Sequence, residues 1–209
     1  MTRRRRPPIR KGFTLVETIL AIAITAMVGT GIATMMSVLG SDATMQYDLR
    51  SVLVRSSTAQ SRLSAYIAPA RCVLEAEGPQ LVLWFDDSRD SDSVHASEVR
   101  WIRLDEDTDR ITVEFLAFPE TWSQTAVAMT DTEHASNADW TSIRRSFASK
   151  GLLRSAPLAD DVTRLRFDTD SNSELESRLV ETTFDMLTST NPVEIRLTES
   201  IRMHNPPTR

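Results

Sequence analysis

The chain has one cysteine in 209 residues, Cys72, so it cannot form an internal disulfide. Cys72 lies in the apolar stretch Cys72-Val73-Leu74 and reads as a small buried hydrophobe. Only three histidines occur, His95, His134 and His204, and they are scattered without metal-ligand spacing. There is no zinc signature and no G-x-S-x-G elbow to activate a serine, and nothing points to a cofactor. These gaps argue against an enzyme. Proline is missing between Pro8 and Pro69, which leaves room for one very long helix. Charge is missing from Thr18 to Ser41, 24 residues in all. A helix needs roughly 20 apolar residues to cross a bilayer core, so this stretch is long enough to span.

What is present sits at the front. Met1–Lys11 carries six positive charges, followed by Gly12 and then Phe13-Thr14-Leu15-Val16-Glu17. The apolar residues after Glu17 fall on every side of a helix, from Ile19 and Leu20 to Val38 and Leu39, as in a segment surrounded by protein or lipid. The basic flank would stay in the cytoplasm. Pro7-Pro8 keeps the leader extended. A secretory signal would have a shorter apolar region ending in a small-residue cleavage site. Here the small residue, Gly12, precedes the apolar run instead. A plain anchor would explain neither Gly12 nor Glu17. A carboxylate near the head of a membrane-length run is costly, by roughly 2.5–3.5 kcal/mol at mid-helix and less near an end, so it calls for a role.

Lys11-Gly12-Phe13-Thr14-Leu15-Val16-Glu17 resembles the class III signal of type IV pilins and type II secretion pseudopilins. The resemblance implies cleavage after Gly12 by a membrane-embedded prepilin peptidase and N-methylation of the new terminus at Phe13. It further implies that Glu17 acts in assembly, beside the terminal amine of a neighbouring subunit. Other pilins or pseudopilins and an inner-membrane assembly platform would be the partners. The soluble part would lie in the periplasm. The physics is compatible: cleavage exposes an ammonium one helical turn from Glu17, and pairing the two offsets much of each ion's desolvation cost. Gly29 and Gly31 in the same helix mark either a point where it bends during packing or ordinary membrane-helix glycine.

The remaining residues are acidic. Taking the leader's six positive charges from the chain's net −5 leaves −11, which argues against nonspecific nucleic-acid binding. Met45, Leu49, Val52, Leu53, Ala59, Leu63 and Ile67 recur at helical spacing, so one helix is expected from about Thr14 to Ile67, ended by Pro69 and packing one stripe on a sheet. Strands are expected at 72–77 and 80–86, joined by Gly78-Pro79, and at 98–104 and 110–118, with a polar loop at 87–96 between the hairpins. Helices at 121–129 and 137–150, the second capped by Gly151, compete with an irregular excursion. Further strands are expected at 161–168 and 193–203. The fold class is α+β: a long N-terminal helix packed on an antiparallel sheet domain. The divisions are a leader at 1–12, a membrane or filament-core helix at 13–41, the α+β domain at 42–203 and a disordered tail at 204–209.

The segment Asp161–Phe167, followed later by Asn191–Leu197, resembles the end of J-type minor pseudopilins, where a strand pair separated by a loop closes the domain. Against the family pattern, Glu17 argues against the K-type tip subunit and the size against the major subunit. The resemblance implies a minor subunit of a type II secretion pseudopilus, in its initiation or tip complex. The alternative is a minor type IV pilin for adhesion, motility or DNA uptake. Acidic groups at Asp86-Asp87 with Asp90 and Asp92, at Asp105–Asp109 and at Asp160-Asp161 suggest calcium; the Asp105–Asp109 run has carboxylates at alternate positions, but it lacks the glycine and distal glutamate of an EF-hand and fits a solvated hairpin turn. No metal site is expected.

Overall fold

The computed structural model describes residues 15–89, 93–188 and 191–207, with 37–49 described by backbone alone. The chain divides into two compact units, 1–49 and 50–209, and helix α1 (Leu15–Ile67) contributes to both. In the second unit, α1 buries Val52, Ala59, Leu63 and Ile67. Their spacings of seven, four and four residues lie along one face. Burying each of the large aliphatics contributes about 1.5–3 kcal/mol. Leu53, expected in that stripe, is instead exposed, because it is one residue, or about 100°, round the helix from Val52. Met45 and Leu49 lie outside the described side chains. Pro69 follows the last turn, which closes with Ala68 N–H donating to Ser64 O at 3.0 Å.

The first hairpin is β1 (Cys72–Glu77) and β2 (Gln80–Trp84), turned by Gly78 at φ 55°. The second is β4 (Val99–Asp105) and β5 (Arg110–Leu116), preceded by the short β3 (Val94–His95) and a 3-10 turn at Ala96–Glu98. Part of the expected polar loop is therefore interior: Ser93, Val94, His95 and Ala96 are all buried. Helix α2 (Gln124–Thr130) is capped by Ser123 Oγ, which accepts from Ala126 N–H at 3.2 Å. After β6 (Glu133–His134) comes α3 (Trp140–Ser149), capped by Asp139 Oδ1 accepting from Ser142 N–H at 2.8 Å. Those hydrogen bonds from Ser142 hold the Asp139 carboxyl below its ordinary value. Gly151 ends α3 at φ 68°, as expected.

The next three strands are β7 (Leu153–Ala159), β8 (Val162–Thr169) and β9 (Leu179–Met186), and β10 (Val193–Ser200) closes the chain. All pairing is antiparallel, in sheets ordered β1-β2-β4-β5-β7, β10-β9-β8 and β3-β6. Strands β7 and β9 were not expected. Pro157 hides β7, and is tolerated because β7 is the edge of its sheet. In β9 the buried Thr182 interrupts the apolar face formed by Val180, Phe184 and Met186. The segments at 161–167 and 191–197 are thus not a pair: β9 lies between β8 and β10.

The five-stranded sheet is buried on both faces. Leu81, Leu83, Ile102, Ile111 and Val113 join α1 and strands β8–β10 in one core. Their chain neighbours Val82, Trp84 and Trp101 point the other way, into a second core with Trp140 and Phe147. This explains why β2 is an unbroken apolar run rather than an alternation. The start of the expected disordered tail is tied down. His204 Nε2 lies 2.8 Å from Leu175 O, and Asn205 N–H donates to Arg71 O at 2.8 Å.

Candidate processing and assembly site

Gly12 and Phe13, the expected cleavage and methylation residues, lie outside the described residues. Among the described residues helix α1 runs from Leu15, with Glu17 in the first described turn and exposed. Residues Leu15–Met36 are long and apolar enough to cross a membrane. At 1.5 Å per residue these 22 residues rise about 33 Å, close to the thickness of a hydrocarbon core. Their large side chains, from Leu15 and Val16 to Met35 and Met36, are exposed.

The threonines of this stretch do not spoil its apolar character. Thr25 donates to Ala21 O at 2.7 Å, Thr30 to Ala26 O at 2.9 Å and Thr34 to Thr30 O at 2.8 Å. Each hydroxyl is satisfied within its own helix, which is what a lipid-facing or filament-facing surface requires. Gly29 and Gly31 stay helical, with open space around each. A surface of this kind can insert in a bilayer or pack against other helices.

Beyond α1, two buried carboxylates are held in hydrogen-bond networks within the fold. The fully buried Glu98 accepts from Trp84 Nε1, Ser88 Oγ, Arg89 N–H and His95 N–H at 3.1–3.2 Å. Asp131, 1% exposed, accepts from Ser97 Oγ at 2.7 Å and pairs with Arg89 at 3.0 Å. These two carboxylates hold β3 and the 3-10 turn against the second core. Sequence reading missed both, since nothing in the spacing of Glu98 or Asp131 separates a buried acid from a surface one. Burial pushes the Cys72 thiol up to about 12, with Arg71 opposing, so it is an inert core residue.

The acidic turns at 105–109 and 160–161 are likewise engaged by the fold, Asp87 pairs with Arg71 at 2.8 Å, and Asp90 and Asp92 lie outside the described residues. Asp105 accepts from Thr108 Oγ1 at 2.7 Å and from Asp107 N–H at 3.3 Å. Asp109 O accepts from Val162 N–H at 2.8 Å, and Asp160 pairs with Arg110 at 2.7 Å. Asp161 pairs with Arg55. Among the described residues no group of three or more His, Cys, Asp or Glu is placed to hold a metal ion.

The family model for the prokaryotic N-terminal methylation motif matches residues 8–33. No curated protein and no solved structure matches the chain. The motif indicates a precursor of type IV pilin or pseudopilin type, processed by prepilin peptidase and assembled into pilus-like filaments. Proteins with this motif are structural subunits rather than enzymes. An apolar N-terminal helix followed by an antiparallel sheet domain is the pilin-like α+β arrangement.

Proposed function

We propose that this chain is a minor pseudopilin, a structural subunit of the initiation or tip complex of a type II secretion pseudopilus. In this reading prepilin peptidase cuts after Gly12 and methylates Phe13, and residues 13–41 form the membrane and then the filament-core helix. The N-terminus faces the cytoplasm and residues 42–203 form the periplasmic domain. Glu17 pairs with the terminal ammonium of a neighbouring subunit and sets the axial register between them. The observation that carries this reading is a lone carboxylate in the first turn of an exposed, membrane-length helix, directly inside the methylation motif. The J-type assignment rests on the sequence resemblance of segments 161–167 and 191–197 alone, since β9 separates β8 from β10 in the C-terminal sheet.

Mass spectrometry of the mature protein tests the central step. The expected N-terminus is methylated Phe13, and an assembled protein that still begins at Met1 overturns the reading. Deletion of the gene separates the two filament systems. Loss of secreted enzymes supports the pseudopilus, whereas loss of adhesion, motility or DNA uptake with secretion intact transfers the subunit to a type IV pilus.

A further inference from the structure

Strand β10 is one edge of the C-terminal sheet and pairs along its whole length with β9. Ile201 N–H donates to Arg178 O at 2.8 Å, which fixes the alternation of the ladder. The odd residues from Val193 to Glu199 bond to β9, so the backbone N–H and C=O groups of Glu194, Arg196, Thr198 and Ser200 point away from it. The next N–H in that outward series, on Arg202, is taken by Ala68 O at 3.0 Å. Among the described residues nothing pairs with the outward groups of the other four, and all four residues are exposed. The opposite edge of the sheet is treated differently. On β8, Val162 N–H donates to Asp109 O at 2.8 Å and Phe167 N–H to Gly78 O at 3.2 Å. An open edge as long as β10 is a template for another strand, and folded proteins usually cover one.

The apolar layer beneath is unfinished at the same edge. The inward residues of β8 (Val162, Leu165, Phe167) and β9 (Val180, Phe184, Met186) are buried, whereas Val193, Ile195 and Leu197 of β10 are only half-buried. Helix α1 underlies them. On one flank its Arg62 reaches Pro157 O of β7 at 3.4 Å, and on the other Ser64 donates to Glu199 of β10 at 3.2 Å. Leu53 stands eleven residues before Ser64, about 20° round the helix from it, and so on the β10 flank. Over those residues α1 rises about 16 Å, which β10 covers in about five, so Leu53 comes level with Glu194 and Ile195. Arg55 agrees with this placement, since it donates to Leu187 O at 2.9 Å, one residue past the β9 partner of Val193. Leu53 is 67% exposed. With the half-buried side chains of β10 it forms an apolar ledge beside the open edge.

We propose that the outer edge of β10 accepts an extended segment of a partner protein as a fourth, antiparallel strand along 194–200. Its backbone would satisfy the outward N–H and C=O groups, and its alternate apolar side chains would cover Leu53, Ile195 and Leu197. The exposed face sets the polar positions. Arg164, Asp185 and Glu194 stand side by side across β8, β9 and β10, one cation against two carboxylates, so lysine or arginine belongs opposite Glu194. Arg196, two residues on, favours a carboxylate opposite it. A second copy is a poorer occupant. Antiparallel pairing of two β10 edges points the two α1 helices in opposite directions, whereas copies held by N-terminal helices in one membrane share a direction; that step alone rests on the proposed function.

The alternation of the ladder supplies the readout. Full-length protein in detergent micelles is titrated with the capped peptide Thr-Val-Thr-Val-Glu-Ile-Lys, and amide hydrogen exchange is followed residue by residue. The expected result is a saturable slowing, about tenfold or more, at Glu194, Arg196, Thr198 and Ser200, while Ile195, Leu197 and Glu199 are protected with and without peptide. The same peptide N-methylated at alternate residues should leave exchange unchanged, and lysine replaced by glutamate should bind about threefold or more weakly. Thr198→Pro removes an N–H that the fold does not use, and Leu53→Ser alters an exposed side chain. Each should weaken binding by about threefold or more, with continued protection of Ile195 and Leu197 verifying the fold. No slowing, equal binding by the N-methylated peptide, or unchanged affinity in either variant overturns the proposal. Protection of the four outward amides that grows with protein concentration, without peptide, assigns the edge to a second copy and overturns the partner. The measurement requires neither leader cleavage nor filament assembly, so its failure leaves the proposed function standing.

Discussion

The indole N–H of Trp84 donates to Glu98 Oε2 at 3.2 Å, deep in the second core, where both residues are at most 1% exposed. Glu98 also takes the Ser88 hydroxyl and the backbone N–H groups of Arg89 and His95. One carboxylate thus satisfies four donors on β2, the following loop and β3. Glu98→Ala strands all four, and stability is expected to fall by about 3 kcal/mol or more. Chemical denaturation of the purified protein measures this. A loss below about 1 kcal/mol contradicts the buried-acceptor role.

Gly151 closes α3 with φ 68° and has open space where a Cβ would stand. Gly151→Ala therefore meets no clash and is expected to cost about 1 kcal/mol through backbone strain alone. Gly151→Asn, which tolerates the left-handed region better, should cost less. Thermal melts of the two variants rank them.

Cys72 is wholly buried with its thiol pushed up to about 12. At about pH 8 only roughly one thiol in ten thousand is ionised in the folded protein, so iodoacetamide should leave it unmodified. In denaturant the same reagent should modify it fully. Intact-mass spectra before and after unfolding read both states.

Burial holds the His134 imidazole below its ordinary value, with Asp131 opposing and His95 reinforcing. Below about pH 6.5 the unfolded chain then binds a proton that the folded chain resists, so this stabilisation is present above that pH and is lost as the pH falls. Denaturation at about pH 8 and pH 5 should show the loss, and His134→Gln should reduce it. An equal loss in the variant would assign the effect to other groups.

Glu17→Ala is expected to insert in the membrane and to be cleaved as the wild type is. It should enter filaments at least about tenfold less, because a terminal ammonium left unpaired in low dielectric is destabilised by several kcal/mol. Sheared-filament immunoblots compare the two. Normal incorporation of the variant removes Glu17 from the assembly contact.

The local features could be read in the chain because they depend on neighbours in sequence. The apolar run after Glu17, the stop at Pro69, the buried stripe through Ala59 and Ile67, both hairpins and the Gly151 cap all follow from periodicity and backbone preference. The tertiary structure decided what depends on distant partners. Pro157 is allowed in β7 because that strand happens to lie at an edge. Thr182 sits in the core because β9 runs between β8 and β10. Glu98 and Asp131 became interior acids only through chain folding. Periodicity reports which side of an element is apolar. It carries no information about which element will cover that side, and so about which charges are removed from water.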